Sequence, residues 1–182
     1  MSVVRATDRL FFAAIPDRPT AARIADVRRD LCDRYGLTGK SVAMEQLHVT
    51  EWHVGDGLDA PPLDLIDELA RRVGSIGMPP FQVMFDHAMS FSHGPFVLCG
   101  REGVAGLEML HEHLKAALFV DGMKPVRSRF TPHMTLLRAR RLVQPLEIEP
   151  ITWMVKELVL VHSLLGKGIH RYVARIPLRR RD

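Results

Sequence analysis

An order of elements that occurs twice constrains this chain more than any other feature. A stretch with apolar residues at helical spacing, Ala21, Ile24, Val27 and Leu31, leads to the extended run MEQLHVTEWHV. A second such stretch, with Val104, Leu107, Leu110, Leu114 and Leu118, leads to FTPHMTLL. Each run carries His-x-Thr, at His48 and Thr50 and at His133 and Thr135. Residues two apart on a strand share a face, so each imidazole stands beside its hydroxyl. Leu47 and Val49, like Met134 and Leu136, then fall on the opposite, buried side. With nine histidines and seven threonines in 182 residues, chance placement gives fewer than one such spacing.

The remaining elements follow the same logic. LFFAAI (10–15) reads as a strand stopped by Pro16, and TAARIADVRRDLCDRYG as a helix with Thr20 as N-cap and Gly36 as its stop. Leu63, Ile66, Leu69 and Val73 mark a second helix; FQVMFDH and FVLCG are strands joined by a turn at Gly94 and Pro95. LVLVHS and YVARIPL are the closing strands. Helices packed on strands in each half predict an α+β fold with a weak internal duplication. At 47% hydrophobic and 25% charged, 182 residues suit one compact globular domain or two small intimate lobes.

The first apolar run is too short for a signal peptide and nothing approaches the roughly 20 apolar residues of a membrane helix, so a cytoplasmic location without membrane contact is expected. Cys32 and Cys99 fit no metal spacing and read as small buried hydrophobes. The net charge of +4 hides an asymmetry. Residues 1–119 carry 12 basic and 16 acidic side chains, whereas residues 120–182 carry 13 and 5. Positive charge concentrated in this way attracts polyanions. Arg179, Arg180 and Arg181 read as a solvated tail, whereas Arg127, Arg129, Arg138, Arg140, Lys167 and Arg171 are better placed to meet a phosphate.

Two facing His-Thr pairs make a phosphoryl-transfer site that needs no metal or other cofactor. One imidazole takes a proton from the nucleophile, the other protonates the departing oxygen, and the threonine hydroxyls donate to phosphate oxygens. A metal-dependent hydrolase is a weaker reading. His111 and His113 lie two apart on a helix, where they diverge, and read as solvated; His87, His93, His162 and His170 suggest no partner. A non-catalytic nucleotide-binding or RNA-binding module remains the alternative.

RLFFAAIPD, LHVTEWHVGD, FVLCG, FTPHMTLLRAR and LVLVHSLLGKGIHRYVARIPL together resemble the two-histidine phosphoesterases. Within that superfamily they resemble the RNA 2′,3′-cyclic phosphodiesterases, also called 2′-5′ RNA ligases. The resemblance implies a bilobal α+β protein with pseudo-twofold lobes of antiparallel sheet and a positive cleft between them. It implies a substrate with a 2′,3′-cyclic phosphate, an RNA end or a small nucleotide, opened to a 2′-phosphate, with reversible 2′-5′ ligation in some members. A monomer is expected. His48 and His133 would be catalytic, Thr50 and Thr135 phosphate-binding; the analogy favours His133 as base and His48 as acid. Arg138 matches an arginine that follows the second motif in the family, although strand parity places it opposite His133 unless the strand bulges near Leu137. The family has an apolar residue and a phenylalanine where this chain has Glu51, Trp52 and His53. Trp52 shares parity with His48 and could stack on a base, or else cap the core; His53 has the opposite parity and reads as structural.

Overall fold

The computed structural model describes residues 5–92, 94–119, 130–139 and 141–180. Along the chain run β1 (Asp8–Ala14), α1 (Arg18–Tyr35), β2 (Gly39–Ser41), β3 (Val49–Gly57), α2 (Leu63–Gly74), β4 (Phe81–Ser90), β5 (Pro95–Cys99), α3 (Ala105–Leu118), β6 (His133–Ala139), β7 (Leu146–Val155), β8 (Glu157–Leu164) and β9 (Ile169–Pro177). The strands form one sheet in the order β7-β4-β5-β6-β3-β1-β8-β9, with β2 alongside β6, and their ladders are antiparallel.

That order reads alike from its centre outward. β3-β1-β8-β9 on one side answers β6-β5-β4-β7 on the other, and the units β1-α1-β3 and β5-α3-β6 correspond. The expected duplicated α+β architecture is therefore present, but its two parts interleave along the chain. The C-terminal β8 and β9 complete the part begun by β1, while β4 and β5 join β6 and β7. The helices' apolar stripes, Ile24 of α1, Ile66 and Val73 of α2, and Leu107, Leu110 and Leu114 of α3, merge in one core with Phe12, Val49, Phe85, Phe96, Leu98 and Met134. A smaller cluster, Phe11, Ala13, Val159 and Val161, lies on the other face of β1 and β8.

Local signals are obeyed with two adjustments. The N-cap of α1 is Asp17, whose carboxylate accepts from the backbone N–H of Thr20 at 2.8 Å; the expected cap, Thr20, is that donor. Gly36 ends the helix at φ 61°, in the left-handed region that favours glycine. The run expected as a strand from Met44 opens instead with a 3-10 turn over Met44–Gln46, and β3 begins only at Val49.

Two bulges decide what the central strands present. Against β1, Ala13 pairs with Thr50 but Phe12 with Trp52, so Glu51 is the extra residue. Against β5, Val97 pairs with Thr135 but Phe96 with Leu137, so Leu136 is extra. Each bulge directly follows a His-x-Thr motif and reverses the alternation beyond it. Leu136 is fully buried, as its chemistry demands. Glu51 is 1% exposed, and neither of its carboxylate oxygens finds a hydrogen-bond partner among the described residues.

Burial pushes the Glu51 pKa well above its ordinary 4.5, so the folded chain holds this proton more tightly than the unfolded chain. Stability from this group is thus complete below about 4.5 and declines as pH rises towards the folded value. Glu51→Leu should raise stability at pH 7 by about 1–3 kcal/mol and flatten that decline. Denaturant melts of both proteins from pH 4 to 8 test it; a variant less stable than wild type at pH 7 contradicts the account.

Candidate active site

The two motifs meet at one point. β3 and β6 touch through the pair Val49 and Met134, the central residues of the two His-x-Thr motifs. Continued one residue each way, the antiparallel register sets His48 across from Thr135 and Thr50 across from His133. Val49 and Met134, both fully buried, point to the helices, and the four polar side chains are left half-buried on the other face.

Each imidazole is tethered in the same way. His48 Nδ1 lies 2.7 Å from the carbonyl of Gln46, and His133 Nδ1 lies 2.8 Å from that of Thr131. A carbonyl only accepts, so Nδ1 carries a proton in each ring, and Nε2 is left without a partner among the described residues, able to accept a proton or, in a charged ring, to donate one. The late start of β3 matters here, because the 3-10 turn supplies the carbonyl that orients His48.

The surroundings of the two rings differ. Phe11 sits 5.0 Å from His48, and His170 of β9 meets His48 edge-on at 5.3 Å and 71°, also touching Phe11 at 5.8 Å. Gln46 donates from its side-chain amide to the Gly168 carbonyl, and the Tyr172 hydroxyl donates to the Glu45 carbonyl at 3.3 Å, which holds the β8–β9 turn over this corner. Burial holds the His48 pKa down at about 4, against the hydrogen bond to Gln46, with the nearby His170 and His133 adding to the depression. His133 has Phe91 at 4.8 Å but stands more open. Sequence reading gave His170 no partner; β1 and β8 lie between β3 and β9 in the sheet, so no local spacing could reveal the contact.

The bulges relocate three residues. Beyond Leu136, Arg138 pairs with Pro95 and shares the face of His133 and Thr135, so the bulge lifts the parity objection. Trp52 moves the other way. It pairs with Phe12, packs against the main core and lies 5.5 Å from His111 of α3, so it does not offer a face beside His48. His53 pairs with Phe11 on the face of His48, contrary to its expected parity, and its Nε2 meets Asp56 at 2.8 Å. Asp56 is gripped by Arg9 at 2.7 Å through both oxygens, and this guanidinium, with His53, holds its carboxyl well below the usual range.

The other histidines have structural partners. His111, expected to be solvated, binds the Glu51 carbonyl at 2.6 Å and stacks on Phe130 at 4.0 Å. His162 is buried against Asp8 at 2.5 Å, and His87 lies 2.6 Å from Asp86. Among the described residues no group of three or more His, Cys, Asp or Glu could hold a metal ion, and no helix is long and apolar enough to cross a membrane. Arg127, Arg129, Arg140, Arg181 and His93 lie outside the described residues.

The family model for the 2′-5′ RNA ligase superfamily matches residues 16–167. The chain belongs to this superfamily of two-histidine phosphoesterases. It is similar to the crystal structure of a phosphoesterase at 26% identity and TM-score 0.75, covering 96% of this chain and 99% of that one. E. coli LigT complexed with 3′-AMP is similar at 26% identity and TM-score 0.74, covering 95% and 99%. A Thermus thermophilus protein shares the fold at TM-score 0.76 and 21% identity, covering 96% and 100%. No curated protein matches the chain.

In this superfamily member, His170 and Phe11 enclose one imidazole of the pair. His170→Ala should let water reach His48 and move its pKa from about 4 back towards 6.5. An NMR titration of the His48 ring measures this directly; an unmoved midpoint would show that His170 does not shield the ring.

Proposed function

We propose that the chain hydrolyses 2′,3′-cyclic phosphates at RNA ends or on small nucleotides to 2′-phosphates, with 2′-5′ ligation as the reverse type of reaction. The observation that carries this reading is the pair of tethered imidazoles, each with a free Nε2 and a threonine of the other strand across from it. E. coli LigT was solved with 3′-AMP and, separately, with phosphate, which supports a nucleotide phosphate as the group this cleft receives. We read the chain as one domain of two interleaved lobes, with Thr50 and Thr135 donating to the non-bridging oxygens.

The motifs leave the two roles equal, and the burial of His48 supports one division of them. His48, with its pKa held at about 4, starts the cycle neutral and suits the base. Its Nε2 takes a proton from water as the water oxygen bonds to phosphorus. The bond from phosphorus to O3′ breaks, and His133, in the more open position, supplies a proton to O3′. This inverts the assignment that family resemblance favours. In ligation the two exchange tasks.

Phosphorus NMR of 2′,3′-cyclic AMP and of a short RNA ending in cyclic phosphate, in the presence of chelator, tests the reaction. Wild type should form the 2′-phosphate, and His48→Ala and His133→Ala should each lose about 10²–10⁴-fold in rate. Binding of both substrates without turnover would instead favour a nucleotide-binding module, and loss of activity on chelation would favour a metal hydrolase. The acid limb of kcat/KM separates the roles. With His48 as base, deprotonated above about 4, activity should persist in mildly acidic solution and fall only as pH approaches that value. Were His48 the acid, activity would already decline above about 4.

A further inference from the structure

The ring of His170 stands at the reacting centre, and the two-histidine chemistry leaves it unused. The 3-10 turn that orients His48 also fastens the strand carrying His170, on both sides of that residue. Gln46 accepts the His48 Nδ1–H at its carbonyl and donates from its side-chain amide to the carbonyl of Gly168, two residues before His170. The Tyr172 hydroxyl, two residues after it, donates to the Glu45 carbonyl. His170 is thereby set edge-on to His48, with ring centres 5.3 Å apart at 71°, and Phe11 backs both rings. His48, His53, His87, His111, His133 and His162 each bring a ring nitrogen to a carbonyl or carboxylate, whereas the half-buried ring of His170 has no hydrogen-bond partner among the described residues. A phenylalanine or leucine would shield His48 equally well without leaving polar atoms to satisfy. Burial lowers the His170 pKa, so near pH 7 the ring is neutral and one of its nitrogens is a bare acceptor.

We propose that His170 is a third imidazole of the reacting centre, which accepts the second hydrogen of the attacking water and so favours water over an alcohol as nucleophile. The inference deepens the cyclic phosphodiesterase reading with His48 as base and rests on it. Water has two O–H groups. One gives its proton to His48 Nε2 as the water oxygen bonds to phosphorus; the bond from phosphorus to O3′ breaks, and O3′ takes a proton from His133. The second O–H stays intact, and unless it too has an acceptor the oxygen lone pair is free to swing away from phosphorus. A water held by two nitrogens at about 2.9 Å each keeps them roughly 4.5–5 Å apart. The two rings are spaced to do this, with centres 5.3 Å apart and planes far from parallel. An alcohol brings a single O–H, which His48 takes, so it gains nothing from His170.

Opening of 2′,3′-cyclic AMP in water containing methanol tests this, with phosphorus NMR reading the 2′-phosphate against its methyl ester. The ratio of the two products does not depend on how much of a variant is folded. In His170→Phe, which keeps a ring over His48, the ratio of methyl ester to 2′-phosphate should rise about three- to tenfold over wild type. In His170→Gln, whose amide oxygen can accept, it should rise by less. His170→Leu serves the same comparison if phenylalanine does not fit. An unchanged ratio in the apolar variant overturns the proposal and leaves His170 as a shield. If wild type opens no cyclic phosphate, it is the reaction that has been misread, and inorganic phosphate becomes the probe. The water oxygen ends as a phosphate oxygen, so bound phosphate should occupy its place. An NMR titration of the His170 ring should then show its midpoint raised by phosphate, and an unmoved midpoint overturns the contact.

Discussion

The contact between Val49 and Met134 is the joint on which the site depends. Two apolar side chains, buried under the helices, bring β3 and β6 together where both motifs lie. Because a strand alternates faces, burying the middle residue of His-x-Thr necessarily turns its two polar neighbours to the other side. Antiparallel pairing then crosses them, histidine to threonine. The hydrophobic effect that fixes the sheet thus also sets the register of the candidate site, and a slip of one residue in either strand would bury that strand's histidine and threonine together.

Both strands reverse their alternation directly after the motif, and this gives the site its edges. The β6 bulge brings Arg138 round to the side of His133 and Thr135; the corresponding β3 bulge brings round His53 and sends Trp52 into the core. Glu51 shows the constraint from the other direction. A bulge position that packs beneath the helices suits leucine, as in β6, whereas the carboxyl there finds no partner among the described residues and burial pushes its pKa well above the usual range.

The residues that sequence reading found are those whose reasons are local. Period-two alternation located the motifs and their buried partners, helical spacing located the three helices, and Gly36 marked a true helix end. What stayed hidden depends on pairing. A bulge leaves no mark in composition, so strict parity misplaced Trp52 and His53 and counted against Arg138. β7 was missed because Pro150 and the glutamates at 147 and 149 break its pattern. The proline is tolerated because this strand is at the sheet edge and its ladder with β4 is irregular between Phe85 and His87. The neighbourhood of His170 needs the turn after β8 to fold back over the 3-10 turn, a contact across more than a hundred residues.

Symmetry alone would make a poor catalyst for this chemistry, since acid–base transfer needs one imidazole neutral and the other charged. The backbone treats both rings alike, each tethered through Nδ1 to a carbonyl two residues back. The difference comes from what the interleaved chain lays over them. The β8–β9 turn closes over His48 and supplies His170, while His133 is left more open. Desolvation penalises the charged form of the enclosed ring. The C-terminal strands thereby give a symmetric pair two different surroundings, and in the proposed reaction burial, in place of a further charged residue, tells the two rings apart.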